Sequence, residues 1–209
     1  MMNAGYLSYI LICMVITLLL SGWKQALVRN ISSRVLFCFF LGWFIGFKIS
    51  IPVGDRLVSG IYVLLILLWL FLLLSLSNEW TRIRTMLSAM LIGLYYFLSV
   101  EAATSFPWFP FSVNATLVTV ITVMVIGITR QVNEQLTIVT GALLFGALLQ
   151  GYAETHLQGM RITPRLLADH WWLFMVSIRA VSVLLQYFLT FSRHVYRYGI
   201  ELWKERKYK

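Results

Sequence analysis

Apolar residues occur along this chain in long, nearly continuous runs, separated by short segments that carry most of the charged side chains. A helix needs about 20 mainly apolar residues to cross the hydrocarbon of a bilayer, where the backbone must be hydrogen-bonded internally. The runs predict an all-α, polytopic transmembrane helical bundle. Its seven spans are expected over residues 4–21, 35–53, 57–76, 86–105, 113–129, 136–153 and 171–191, with a basic cytoplasmic tail at 192–209.

The second span is the least secure of the early ones, because Lys48 limits its uninterrupted apolar part to Val35–Phe47. No segment between spans is long enough to form a separate domain, so a single integral membrane domain over 1–209 is predicted. A six-span alternative makes one weak span a re-entrant hairpin and puts both termini inside. It fits less well, because no Lys or Arg precedes Tyr6 to hold the N-terminus in the cytoplasm.

The distribution of basic residues predicts the orientation of the bundle. With seven spans and the N-terminus outside, twelve of the 17 Lys and Arg residues fall in inner segments, four fall in outer segments, and Arg179 lies within span seven. Cytoplasmic loops are enriched in Lys and Arg. The sequence therefore predicts an N-out, C-in topology in a cell membrane, a bacterial cytoplasmic membrane being the expected one.

The composition agrees with a lipid environment: 60% of the residues are hydrophobic and 12% are charged, whereas about 25% are charged in a typical soluble domain. The net charge of +9 is concentrated beside the spans, so we expect the lipid bilayer as partner and no nucleic acid. The tail should attract anionic lipid, at about 1 kcal/mol per basic residue near the surface. The alternative for this tail is the docking of a cytoplasmic partner, and a membrane protein is a separate candidate partner of the chain.

No sequence motif indicates an enzyme, a metal site or a cofactor. His-Glu-x-x-His, Gly-x-Ser-x-Gly and phosphate-loop patterns do not occur in the sequence. Cys13 and Cys38 lie inside apolar runs and are expected to be small buried hydrophobes, and the three histidines do not have metal-ligand spacing. We therefore predict a non-enzymatic protein without cofactors.

Polar residues inside the spans are the candidates for a binding site. By position in the predicted spans, five fall in the outer half or near the middle of the membrane: Lys48, Glu101, Gln150, Glu154 and Arg179. Charges at such depth cost about 2.5–3.5 kcal/mol each, so they normally face the interior and pair. One hypothesis is an outward-opening cavity with Arg179 at its base and Glu101 or Glu154 as counter-ion, holding a small anionic or zwitterionic ligand. The competing hypothesis is an Arg–Glu pair that fixes helix register and binds no ligand.

Two further patterns concern helix packing. Arg179, Ser182, Gln186 and Arg193 form a polar stripe along span seven, which indicates that this face of the helix points inward. Gly42-x-x-x-Gly46 in span two and Ala89-x-x-x-Gly93 in span four place small residues one turn apart. In a seven-span protein, such pairs more often permit close packing within the bundle than association between chains.

The chain resembles the YphA-type family of small membrane proteins of spore-forming Gram-positive bacteria. The similarity lies in size, in span number and in the segment that runs from Arg130 through Glu134-Gln135-Leu136 to Gly141 and Gly146, where a short polar turn joins two spans. That family has no established activity to transfer, so the resemblance implies a cell-membrane location and nothing about catalysis.

The function expected from the sequence is that of a structural or assembly component of the cytoplasmic membrane. The runner-up is a small-molecule-binding transport subunit, by analogy with the similarly sized, helical substrate-binding subunits of energy-coupling vitamin transporters. The two hypotheses differ in what surrounds Arg179: a binding protein needs an open cavity there, and a structural protein needs a closed, paired guanidinium.

Overall fold

A computed structural model describes residues 6–24, 32–53, 56–105, 113–156 and 164–207. In this part of the chain there are seven helices and one antiparallel two-stranded hairpin. In chain order they are α1 (Tyr6–Leu20), α2 (Ser33–Gly46), β1 (Ser50–Val53), β2 (Arg56–Ser59), α3 (Gly60–Ser75), α4 (Glu79–Ser105), α5 (Val113–Ile128), α6 (Val132–His156) and α7 (Pro164–Lys207).

The all-helical class is confirmed, and three helices are long and apolar enough to cross a membrane. These are Glu79–Ala102, Val132–Ala153 and Pro164–Tyr196, whereas the other apolar helices of the described chain have 10–17 residues. The expected seven spans therefore correspond to three helices of spanning length and four shorter ones.

The hairpin replaces helix that was expected on both sides of residue 54. Span two was predicted to continue to residue 53, but α2 ends at Gly46, and strand β1 pairs with β2 in the register Ser50↔Ser59 and Ile51↔Val58. Pro52 explains the difference, because proline has no N–H for a helical hydrogen bond, and β-branched neighbours favour extended backbone. Lys48 lies in the turn between α2 and β1 and is exposed.

Helix α7 begins earlier and continues further than the predicted span seven. It starts at Pro164, seven residues before Trp171, and extends through the tail to Lys207. Proline is favoured in the first turn of a helix, because its fixed φ suits the helix and its missing N–H has no partner there anyway. The segment expected to be the tail is thus part of the same helix through Lys207.

Helix α6 lies at the centre of the bundle and packs most closely on α4. The two run parallel: a Cβ on Gly93 would lie 2.6 Å from the Ala142 carbonyl oxygen, and one on Gly146 would lie 2.6 Å from the Tyr96 ring. On another face of α6, a Cβ on Gly141 would lie 2.5 Å from the Trp69 indole nitrogen of α3. Small residues are therefore needed where three helices meet.

Helices α2 and α3 run antiparallel and also approach each other closely. A Cβ on Gly60 would lie 3.0 Å from the Gly46 carbonyl oxygen, and a Cβ on Gly42 would lie 3.0 Å from Leu64. The small-residue pairs on α2 and α4 thus permit packing within the bundle, which confirms their predicted role. We call the end of the bundle that holds Tyr6, Gly46, Gly60 and Pro164 the Tyr6 end, and the opposite end, with Ser33, Ser75 and Val132, the Leu20 end.

The described chain has an apolar surface around a mainly apolar core that also contains many polar residues. Large apolar side chains are exposed along several helices, for example Leu67, Leu74, Leu91, Leu184 and Phe188, each at least 60% exposed. The buried set includes many polar residues: Ser8, Thr85, Glu134, Gln135, Thr137, Thr140, Gln150, Asp169, His170, Arg179 and Ser182. Exposed apolar surface on this scale indicates contact with an apolar surrounding.

Candidate functional site

The first cluster of buried polar groups lies at the Leu20 end and is called here the arginine network. Its buried members are Thr129 just after α5, Glu134 and Gln135 in the first turn of α6, and Arg179 and Ser182 on α7, and the partly exposed Arg84 of α4 completes it. The network thus joins the last four helices of the chain.

Glu134 and Gln135 are the centres of this network. One carboxylate oxygen of Glu134, Oε2, accepts hydrogen bonds from Arg84 Nη2 and from Thr129 Oγ1, each at 2.6 Å. Gln135 accepts from Arg179 Nη1 through Oε1 at 3.1 Å, and its Nε2 donates to Ser182 Oγ at 3.1 Å and to the Thr129 carbonyl at 3.0 Å. Adjacent residues of one helix turn therefore bind groups from α4, α5 and α7.

Burial makes these contacts important for stability. Glu134, Gln135 and Arg179 are each at most 3% exposed, whereas the Arg84 side chain is 47% exposed. Leaving a buried polar group without its partner costs about 1–3 kcal/mol. The arrangement holds helices in register, and the carboxylate and guanidinium groups in it already contact protein groups.

A second cluster, called here the aspartate cluster, lies toward the Tyr6 end. Asp169 Oδ1 accepts from both the backbone N–H (2.7 Å) and the hydroxyl of Ser8, which joins α7 to α1. The Tyr96 hydroxyl of α4 lies 2.7 Å from His170 Nδ1. Trp171 Nε1 donates to Thr140 Oγ1 of α6 at 3.1 Å. Three consecutive residues of α7 thus contact three different helices.

Aromatic rings fill the space where α2 meets α7, next to the aspartate cluster. The centroid of Trp43 lies 5.2 Å from that of Trp171 and 5.4 Å from that of Trp172, and Phe40 stacks on Trp172 at 6.0 Å. Such packing contributes about 0.5–1.5 kcal/mol per pair beyond the area buried.

The structure separates the candidate site residues that the sequence suggested would converge. Arg179 contacts Gln135 at the start of α6, whereas Gln150, which is buried, lies 15 residues further along that helix, about 22 Å away at 1.5 Å per residue. Glu101 is half-buried near the Tyr6 end of α4, and Lys48 is exposed in its turn. Glu154 lies in α6, and its side chain falls outside the described residues.

The position of Arg179 differs from the expectation because α7 begins at Pro164. Counted from there, Arg179 lies about 22 Å along the helix, beyond the outer half and middle of the membrane where it was expected. Arg179 therefore lies at the Leu20 end. We expected all five candidates toward the outer side of the membrane, but Arg179 is not grouped with the others. The predicted polar stripe of α7 points inward at Arg179 and Ser182 but is exposed at Gln186 and Arg193, where α7 leaves the other helices.

The sequence did not indicate that the side chains of Glu134 and Asp169 lie in the interior of the bundle. Asp169 and His170 were placed in a loop, although Pro164 is a helix-start signal that would have brought them into α7. Glu134 appeared to be part of a polar turn. Its burial depends on α4 and α5, whose Arg84 and Thr129 side chains no local pattern connects to it.

Comparisons with protein-family models, with characterised proteins and with solved structures found no match. In the residues that the structure describes, no group of three or more His, Cys, Asp or Glu side chains could hold a metal ion. The buried clusters are therefore interpreted from their own geometry.

Proposed function

We propose that this chain is a multi-pass helical protein of a cell membrane that acts as a non-enzymatic structural or assembly component. The support for membrane residence is the broad exposure of large apolar side chains, together with polar groups that are buried between the helices. In a bilayer, polar groups lie in the bundle interior, because no water is present to hydrogen-bond them.

The proposed topology has seven membrane crossings, with the N-terminus outside and the C-terminus inside. Parallel packing of α4 on α6 and antiparallel packing of α2 on α3 are what seven alternating crossings require. The Leu20 end then faces the cytoplasm, together with the segments that hold most of the basic residues. The resemblance to the YphA-type family points to a bacterial cytoplasmic membrane.

The observation that supports a structural role is the closure of Arg179. Its side chain is 3% exposed and donates to Gln135, inside a network that joins four helices. A guanidinium that bound a soluble ligand would need access to it. A guanidinium that fixes the register of α6 and α7 needs the buried contact that is present.

The test of the structural role is a double-substitution cycle on Arg179 and Gln135. We expect Arg179→Leu to lower the unfolding temperature strongly, because Gln135 Oε1 loses its cationic donor and keeps only Ser182 Oγ at 3.4 Å. Gln135→Leu should lower it too, and Arg179→Leu/Gln135→Leu should cost less than the sum of the two single variants, because their shared contact is lost only once. Thermal unfolding of the purified variants in detergent measures these unfolding temperatures. Arg193→Leu, on the exposed part of α7, is the control and should have little effect.

Equal stability of Arg179→Leu and the unsubstituted protein would contradict the structural role. The alternative is a small-molecule-binding transport subunit with an outward-facing polar cavity, for which the buried aspartate cluster toward the Tyr6 end is the favourable observation. It predicts that a small anionic or zwitterionic compound raises the unfolding temperature, and that Glu101→Gln abolishes this rise while the protein still folds.

A further inference from the structure

A cleft of about 510 Å³ opens at the Leu20 end, between α5, α7 and the start of α6. One part of its wall is polar and includes Arg130, Gln135, Ser182 and Gln186; the rest is mostly apolar. Its volume falls within the range of about 300–1,000 Å³ that is usual for small-ligand sites. The cleft lies beside the arginine network, with which it shares Thr129, Gln135 and Ser182.

The polar part of the wall suits an anionic group. Arg130 is exposed and forms no ion pair with any residue that the structure describes. Behind it, Gln135 and Ser182 are 1% and 6% exposed, and Gln135 is bound to the cationic Arg179. A phosphate in the cleft would therefore meet the exposed guanidinium of Arg130 and the exposed amide of Gln186, with the buried cation Arg179 behind Gln135.

The apolar part of the wall suits a hydrocarbon chain. Ile128, Leu185 and Leu189 line it, and each is partly exposed, at 36–42%. A free inorganic anion would leave this apolar surface unused. An amphiphile with an anionic head and an acyl tail would match both parts of the wall.

We propose that this cleft binds the headgroup of an anionic phospholipid, with one acyl chain lying along α5 and α7. The proposal rests on the membrane residence proposed above but requires neither the scaffold role nor the N-out orientation. The site is distinct from the basic tail, since Arg130 precedes α6 and lies on the bundle itself. Lipid bound there would join α5 to α7 on the open side of the arginine network.

The experiment compares retention of phosphatidylglycerol with that of phosphatidylcholine of the same acyl chains, by native mass spectrometry of protein in mixed detergent–lipid micelles. We expect selective retention of one phosphatidylglycerol. Arg130→Gln should weaken this binding about fivefold, the factor that corresponds to about 1 kcal/mol for one basic residue. Arg193→Gln removes the same charge from an exposed position outside the cleft and should leave the retained lipid unchanged.

A second pair of variants tests the volume of the cleft rather than its charge. Gly127 lines the cleft and Gly151 lies elsewhere on α6, and an added Cβ meets nothing within 4 Å at either position. We expect Gly127→Phe to reduce lipid retention and Gly151→Phe to leave it unchanged, with both variants folded.

Three results would overturn the proposal: equal retention of the two lipids, equal binding by Arg130→Gln and Arg193→Gln, or displacement of the lipid by millimolar inorganic phosphate, which would indicate a free-anion site. Failure of the scaffold role is seen separately, as an Arg179→Leu protein of normal stability that still retains phosphatidylglycerol. Failure of membrane residence is seen as extraction of the chain from membranes by alkaline carbonate.

Discussion

At the scale of single residues, Glu134 of α6 connects α4 and the end of α5 at the Leu20 end of the bundle. Its carboxylate accepts from Arg84 of α4 and from Thr129 just after α5, while it is itself 3% exposed. A hydrogen bond to a charged group contributes about 1.5–3 kcal/mol.

The sequence indicated that the Arg179 guanidinium needs a partner inside the bundle. The identity of that partner could not be deduced, because it is a neutral amide, Gln135, which lies 44 residues away in the chain.

We therefore predict that Glu134→Gln destabilises the protein by about 1.5–3 kcal/mol, since the neutral amide keeps the shape of the side chain but loses its charge. Chemical or thermal unfolding in detergent measures the change. Glu79→Gln, at the exposed start of α4, is the matched control and should shift stability by less than about 0.5 kcal/mol. If the two variants were equally stable, the carboxylate of Glu134 would not be a structural charge.

At the scale of elements, the apolar runs predicted the helices well and their ends less well. All seven expected spans overlap a helix, because a long apolar run has few other ways to satisfy its backbone. The hairpin was missed, since Ile51, Val53 and Val58 are apolar enough to continue either neighbouring span and only Pro52 argues against a helix. The start of α7 was not predicted, because the span was placed where the continuous apolar run begins, although Pro164 is a residue type favoured in the first turn of a helix.

Substitution by alanine is expected to change stability in opposite directions at two glycines, one on α4 and one on α6. A Cβ at Gly93 would lie 2.6 Å from a carbonyl oxygen, whereas a Cβ at Gly151 meets nothing within 4 Å. We expect Gly93→Ala to destabilise the protein by about 1–3 kcal/mol through overpacking. Gly151→Ala should stabilise it by up to about 1 kcal/mol, because alanine loses less conformational entropy in a helix. Unfolding temperatures measured side by side test the signs, and a stabilised Gly93→Ala protein would show that α4 and α6 are not in close contact.

At the scale of the whole molecule, the alternating helices place the β1–β2 hairpin at one end of the bundle and the segment between α5 and α6 at the other. Overall class could be predicted from composition, whereas the number of crossings depends on four helices of 14–16 residues. Such short helices are stabilised in the structure by packing on α6 and α7, which a single-sequence pattern does not contain.

Labelling of single cysteines in intact cells tests the proposed topology. In a chain with Cys13→Ala and Cys38→Ala, we expect a cysteine at Ser50 in the hairpin to react with a membrane-impermeant maleimide from outside. A cysteine at Gln131, between α5 and α6, should react only after the cells are opened. Labelling of Gln131→Cys in intact cells, or of a tagged N-terminus only from inside, would refute the N-out orientation.

The difference in helix length has a consequence for the surrounding lipid. Helices α1 to α3 have 14–16 residues, about 21–24 Å at 1.5 Å per residue, whereas α4 and α6 have 27 and 25 residues, about 37–40 Å. A typical hydrocarbon core is about 30 Å thick, and a bilayer adapts to a mismatch by thinning or thickening locally. In a membrane, the lipid beside α1 to α3 would be thinner than the lipid beside α4. The protein would then favour a thin bilayer beside α1 to α3. Longer-chain lipids form a thicker bilayer and would raise the free energy of hydrophobic mismatch at these helices.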